Sequence, residues 1–113
     1  MGKIETTLLA AITILAATGG SAGAGDIQTI DCAVDRNRTE RAICASQRLQ
    51  ILDAKITEVY ADAMSDRRLS ASVKEALRRS QYAFLARRDA CGSDAACING
   101  VMTLRFAHIR NFD

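Results

Sequence analysis

The sequence has no proline, no tryptophan and a single histidine, and only two of its seven glycines, Gly92 and Gly100, lie beyond residue 25. From residue 26 onward the chain therefore has almost no helix-breaking residues. Its apolar residues recur at spacings of three and four, and strand-like alternation is absent. These absences exclude a β-rich fold and predict an all-α domain.

The first 25 residues differ in composition from the rest and hold five of the glycines. Lys3 is followed by an apolar run, Leu8–Ala17, that is shorter than the roughly 20 residues a membrane span needs. Small residues, Ala22-Gly23-Ala24, follow at the positions that a signal peptidase reads. We therefore expect residues 1–24 to be a signal peptide and residues 25–113 to be one secreted domain, without stable membrane insertion after cleavage.

All four cysteines, Cys32, Cys44, Cys91 and Cys97, lie in the expected exported part. An oxidising compartment permits disulfides, and so small a domain gains stability from them. Four cysteines allow three connectivities, of which the local spacing favours Cys32–Cys44 and Cys91–Cys97. Zinc sites normally use short CxxC pairs, which this chain lacks, so we predict two disulfides and no metal site.

Two helices are predicted in the first half of the domain. Asn37 is a candidate N-cap and Glu40, three residues later, completes a capping box, which predicts a short helix over Thr39–Ala45. Ser46 is placed to cap a longer helix, which is expected to end near Ser65-Asp66. Its apolar face consists of Leu49, Leu52, Ile56, Val59, Tyr60 and Ala63.

Two more long helices are predicted in the second half. The first begins at Ser70 or Ser72, and the segment Ser72–Glu75 matches a capping box. Gly92 is free to take the left-handed conformation that ends a helix, and Asp94 can cap the last helix, expected over Ala95–Asn111.

The predicted fold is a small disulfide-stapled bundle of three long helices and one short N-terminal helix. In this bundle two helices form an antiparallel hairpin, a third helix packs across it, and a disulfide ties each end of the domain. The inner face of the last helix is expected to hold Ile98, Val101, Met102, Phe106 and Ile109.

Two polar residues share the inward face of the third helix. Arg88 lies one turn after Phe84, on a stripe that also contains Gln81, and is therefore expected to be buried. Because a buried guanidinium needs a carboxylate, we predict an ion pair between Arg88 and Asp53, which lies on the inner side of the second helix. A structural role is the favoured interpretation of this pair.

The cysteines and polar residues fall in a series of short motifs: Asp31–Ala33, Thr39–Cys44, Leu52-Asp53, Gln81–Leu85 and Arg88–Cys97. In order and spacing, over residues 31 to about 109, these motifs resemble the LprI-like family of small secreted bacterial domains, which is named for a mycobacterial lysozyme inhibitor. The chain departs from the family by having Phe84 where tryptophan is usual. The resemblance implies an exported helical domain that binds lysozyme.

The residue types needed for catalysis are scarce. His108 is the only histidine and lies near the end of the last helix, where a partly exposed structural position is the ordinary interpretation. No nucleophile, zinc-protease, Walker or dinucleotide motif occurs, so we predict no catalytic residues, no cofactor and no enzyme. The net charge of +2 arises from interleaved basic and acidic residues and does not indicate nucleic-acid binding.

A protein of the bacterial envelope is the expected partner, and a lysozyme-type muramidase is the most specific candidate. Such enzymes hold two catalytic carboxylates in a cleft, which a basic or hydrogen-bonding loop can block. Because many lysozymes are themselves cationic, the contact has to be local. Alternatives are a stress or chaperone-like protein and an effector-neutralising immunity protein, and the sequence gives no oligomeric state. The candidate contact residues lie in two disulfide-fastened loops: Arg36, Asn37, Arg38, Ser93 and Asp94.

Overall fold

The computed structural model describes residues 29–34 and 36–112, so the predicted signal peptide, residues 1–24, lies outside the described residues. The described residues form no strand. None of the helices in this part of the chain is long and apolar enough to cross a membrane. The all-α prediction of one short and three long helices is confirmed. They are α1 (Arg38–Cys44), α2 (Gln47–Ser65), α3 (Ala71–Ala90) and α4 (Ala95–Arg110).

Three helices begin at the N-caps that the sequence predicts. The Asn37 side chain accepts a hydrogen bond from the Glu40 amide at 2.8 Å, and the Glu40 carboxylate accepts one from the Asn37 amide at 3.3 Å, which completes the capping box of α1. Ser46 caps α2 and Asp94 caps α4 in the same way. These bonds satisfy amide donors that the first turn of a helix leaves without partners.

The start of α3 differs from its predicted capping box. Ser70 is the N-cap, and its hydroxyl accepts a hydrogen bond from the Val73 amide at 3.2 Å. The capping box predicted at Ser72 is wrong, because Ser72 already lies in the first turn of the helix. Glu75 forms ion pairs along the helix instead, with Arg78 at 2.8 Å and with Arg79 at 3.5 Å.

The three long helices run up, down and up around one apolar core. Antiparallel packing of α3 and α4 follows from the Cys91–Cys97 disulfide at one end and the Arg105–Gln81 hydrogen bond further along. Helices α2 and α4 run in the same direction, because Leu52 and Asn99 line one surface groove and Val59 and Ile109, further along both helices, line another. Phe106 and Val101, predicted for the inner face of α4, are partly buried against this core. The buried apolar residues are Ile43, Leu49, Ile56, Tyr60, Leu77, Phe84, Ile98, Met102 and Ile109.

Both predicted disulfides are present, with S–S distances of 2.03 Å for Cys32–Cys44 and 2.05 Å for Cys91–Cys97. The expectation that one disulfide ties each end of the bundle is wrong. Cys44 precedes the start of α2, whereas Cys91 and Cys97 join the end of α3 to the start of α4. Because α2 and α4 are parallel and α3 is antiparallel to them, these three positions meet at one end, which both disulfides fasten.

Replacing either of the two described glycines with alanine should change the stability, but in opposite directions. Gly92 has a φ of 61°, the left-handed conformation that disfavours a side chain. Gly100 lies inside α4, and apart from its chain neighbours and the backbone of its own helix no described atom lies within 4 Å of the position that a Cβ would take. We expect Gly100→Ala to raise the free energy of unfolding by about 0.5–1 kcal/mol and Gly92→Ala to lower it by about 1 kcal/mol. Urea denaturation of both variants beside the wild type checks this. Loss of stability in Gly100→Ala would contradict the open environment of that position.

Candidate functional site

The two loops that the sequence marks for partner binding lie side by side. The Thr39 hydroxyl donates to the Gly92 carbonyl at 2.7 Å and lies 3.1 Å from the Asp89 carbonyl. The Asn37 side-chain amide donates to the Asp89 carboxylate at 3.0 Å. Arg38 packs over the turn, with its Cδ 3.6 Å from the position that a Cβ on Gly92 would take. We call residues 36–38 and 92–94 together the end surface.

The five predicted contact residues of the end surface differ in whether their side chains already have partners within the protein. Asn37 and Asp94 are N-caps, so their side chains are engaged in holding α1 and α4. Arg36 is half-buried and donates to the Asp31 carbonyl. The side chains of Arg38 and Ser93 are exposed, and no described residue forms a hydrogen bond or ion pair with them. Arg38 is thus the cation of the end surface that is available to a partner.

The backbone of the end surface is held on several sides. Arg41 donates to the Arg36 carbonyl at 2.6 Å, and the Cys32–Cys44 disulfide ties the preceding segment to α1. The turn at Gly92 is closed by the Cys91–Cys97 disulfide. A surface built in this way loses little conformational freedom on binding, which favours affinity.

A polar cavity of about 210 Å³ lies between α2, α3 and the segment before α1. Asp53 and Arg88 are both buried and both line it. The Asp53 carboxylate accepts a hydrogen bond from the Ile30 amide at 2.9 Å, which fastens the segment before α1 to α2. Burial raises the pKa of Asp53 above its ordinary value, and this effect outweighs the opposing effects of the Ile30 amide and the Arg88 charge.

The predicted burial of Arg88 is observed, but its predicted direct pairing with Asp53 is corrected. The guanidinium lies 2.9 Å from the carboxylate of Asp89 and 3.9 Å from that of Glu40. Asp53 acts on Arg88 only through longer-range attraction. Two carboxylates lie closer to Arg88 than Asp53 does, because Asp89 is the next residue in the chain and α1 places Glu40 nearby. The Asp53 carboxylate is in turn engaged by the Ile30 amide.

The stability of the Asp53→Asn variant relative to the wild type is expected to increase as the pH rises. A carboxyl whose pKa is raised by folding contributes stability below its unfolded pKa of 3.8 and loses it as the pH rises through the folded value. Asparagine keeps an acceptor for the Ile30 amide without a buried charge. The difference in free energy of unfolding, variant minus wild type, should therefore be larger at about pH 7 than at about pH 3. Denaturation at both pH values tests this, with Asp62→Asn, an exposed position of α2, as the control. An equal difference at the two pH values would refute the burial argument.

Arg105 in α4 is a second buried arginine, which the sequence pattern did not predict. Only 3% of it is exposed, and it donates to Gln81 at 2.8 Å and to Ser80 at 3.0 Å. Its guanidinium also lies 5.7 Å from the centre of the Phe84 ring. No described carboxylate pairs with it, and burial together with the Arg87 charge lowers the pKa of Arg105 to about 10. The inward position of Gln81 was the available signal, since a buried amide needs a polar partner.

The single histidine and the cysteines form no metal-binding cluster within residues 29–34 and 36–112. His108 is exposed near the end of α4, where its Nδ1 lies 3.2 Å from Arg105 Nη1 and its ring meets the Phe112 ring edge-on. All four cysteines are paired. No cluster of three or more histidine, cysteine or acidic side chains that could hold a metal occurs among these residues.

Comparison with protein families gives a match over residues 31–109 to the family described as lysozyme inhibitor LprI. The chain belongs to the LprI family. The matched region contains both disulfides, the end surface and all the cavity-lining residues except Thr29 and Ile30, so the LprI match and the helical, disulfide-bonded structure agree. No curated protein and no solved structure matches the chain.

Membership of the LprI family indicates a function and a location at a coarse level. LprI proteins are described as inhibitors of lysozyme, not as enzymes. Disulfides persist in oxidising compartments and are rare in the cytosol of most organisms. The LprI family and the two disulfides together indicate an extracytoplasmic protein.

Proposed function

We propose that this LprI-family protein binds a lysozyme-type muramidase and blocks its cleft with the end surface. The observation that carries the proposal is the exposed Arg38 guanidinium, which lacks an ion-pair partner among the described residues and rests on a disulfide-fastened turn. Arginine forms paired hydrogen bonds with carboxylates, and a muramidase cleft carries two of them. The supporting family match is to lysozyme inhibitors.

The proposed contact is local rather than driven by net charge. The chain carries a formal charge of +2, which gives no long-range attraction to a cationic lysozyme. Within the end surface, Arg38 supplies the positive charge and Ser93 a hydroxyl that donates or accepts a hydrogen bond. Specificity then comes from the fit of these groups to the carboxylates of the cleft.

Clearing of a peptidoglycan suspension tests this function. Purified protein comprising residues 25–113, with its disulfides formed, should slow clearing by muramidase in a dose-dependent way. Several muramidase types should be tested, because the family match does not specify one. Absence of inhibition by all of them at micromolar excess would contradict the proposal. Protection of a client protein at low pH, in place of inhibition, would favour the stress-protein alternative.

The proposal includes export of the protein to the bacterial periplasm and removal of residues 1–24. The composition of those residues and the two disulfides support it. Mass spectrometry of the protein from a periplasmic extract should give the mass of a chain that begins at Gly25. A cytoplasmic full-length chain would contradict export.

A further inference from the structure

A second surface feature lies on a different face of α2 from the polar cavity. It is a groove of about 190 Å³ between α2 and α4, and we call it the α2–α4 groove. None of the residues that line it is acidic, and none belongs to the end surface. They are Arg48, Ile51, Leu52 and Lys55 from α2, and Asn99 and Thr103 from α4.

The charges of the α2–α4 groove are positive and unopposed. Arg48 and Lys55 are both exposed, and neither forms an ion pair with any described residue. Seven residues along a helix separate them by about 10 Å. Between them Ile51 presents an apolar side chain that is 49% exposed. The groove thus offers two cations with an apolar contact between them.

One residue that lines the α2–α4 groove, Asn99, has a buried acceptor that lacks a hydrogen bond. The Oδ1 atom of Asn99 is buried, and no described donor reaches it. Buried polar atoms in proteins are nearly always hydrogen-bonded, and each exception calls for an explanation. This atom is closed to solvent in the free protein, so a bound molecule reaches it only after the Asn99 side chain rotates.

We propose that the α2–α4 groove binds an extended acidic segment of a partner protein. In the polyproline II conformation, residues three apart lie on the same side of the chain and about 9 Å from each other. Two acidic residues at this spacing match Arg48 and Lys55, and an apolar residue between them covers Ile51. The inference goes beyond the proposed muramidase contact and uses none of its residues.

NMR titration of labelled residues 25–113 with a synthetic peptide tests the proposal. The probe is an acetylated and amidated Gly-Glu-Leu-Ser-Glu-Gly peptide, and its control carries glutamine in place of both glutamates. With the acidic peptide we expect saturable shifts of the Ile51 and Lys55 backbone amides and of the Asn99 side-chain amide. The glutamine peptide should bind about tenfold more weakly, because it lacks both charges.

Charge reversal within the groove provides the matched variants. Arg48→Glu combined with Lys55→Glu should weaken binding of the acidic peptide about tenfold, and Arg67→Glu combined with Arg87→Glu, which makes the same change elsewhere, less than about twofold. The groove variant should keep its muramidase inhibition, so the two proposals fail separately. Three results would overturn the inference: no shifts at millimolar peptide, equal shifts with the glutamine peptide, or concentration-dependent shifts of the groove without peptide, which would place a second copy there.

Discussion

Phe84→Ala is expected to lower the free energy of unfolding by about 3–5 kcal/mol, enough to unfold a large fraction of a marginally stable domain. Only 2% of Phe84 is exposed, and its ring lines the space between α2 and α3 and lies under the Arg105 guanidinium of α4. The substitution therefore leaves a cavity where all three long helices meet. Urea denaturation followed by circular dichroism measures the loss.

Tyr82→Ala is the matched control for this substitution. Tyr82 is an aromatic residue of the same helix, two positions earlier, and 51% of it is exposed. Its removal should cost less than about 1 kcal/mol, because it leaves no internal cavity. A loss in Phe84→Ala no larger than in Tyr82→Ala would contradict the assignment of Phe84 to the core.

Arg38→Glu is expected to raise the concentration needed for half-inhibition of a muramidase by about 10- to 100-fold. The substitution turns an attraction for the cleft carboxylates into a repulsion. The fold should be unaffected, because no described residue bonds to the Arg38 side chain and an acidic residue is favourable in the first turn of α1. Peptidoglycan clearing and thermal denaturation of the same preparation separate the two effects.

Arg67→Glu controls for the change in net charge. Arg67 is exposed in the loop between α2 and α3, at the end of the bundle opposite the disulfides. Its charge reversal should leave half-inhibition within about twofold of the wild type, since a distant exposed charge is screened. Equal losses in Arg67→Glu and Arg38→Glu would mean that net charge, not the end surface, governs inhibition.

Local signals in the sequence predicted most of the secondary structure and both disulfides. The capping box of α1 depends on Asn37 and Glu40, which are three residues apart, so the sequence contains all the information it requires. At the start of α3, Ser70 and Ser72 both offered a cap. Local pattern does not distinguish them, and Glu75 matches a capping box but pairs with arginines further along the helix.

Apart from the capping box at Ser72, the features that the sequence did not predict correctly are contacts between helices. Helical spacing predicted that Arg88 is buried, yet its ionic partners depend on how α1 packs against α3 and on the engagement of Asp53 by Ile30. Arg105 was missed because a charged residue interrupts the apolar pattern of α4, and its burial depends on Gln81 of another helix. The meeting of both disulfides at one end likewise follows from the parallel course of α2 and α4, which spacing within a helix does not reveal.

The candidate contact residues were predicted as two separate loops, and their adjacency emerges only in three dimensions. Thr39, which was not singled out, joins them through the Gly92 and Asp89 carbonyls. The structure also reduces the number of candidate contact residues. The side chains of Asn37 and Asp94 are engaged as helix caps, whereas that of Arg38 remains available. The proposed muramidase contact is therefore centred on Arg38 and Ser93.

The most direct test of the proposed function is an NMR map of the muramidase contact. Labelled protein comprising residues 25–113 is titrated with a muramidase that it inhibits, and the backbone amides are followed. We predict that the signals of Arg38 and Ser93, with their neighbours in the end surface, shift or broaden first, while those of Arg67 and Arg110 at the opposite end stay unchanged. Changes confined to the opposite end, or no changes at saturating muramidase, would contradict the proposal that the end surface binds the enzyme.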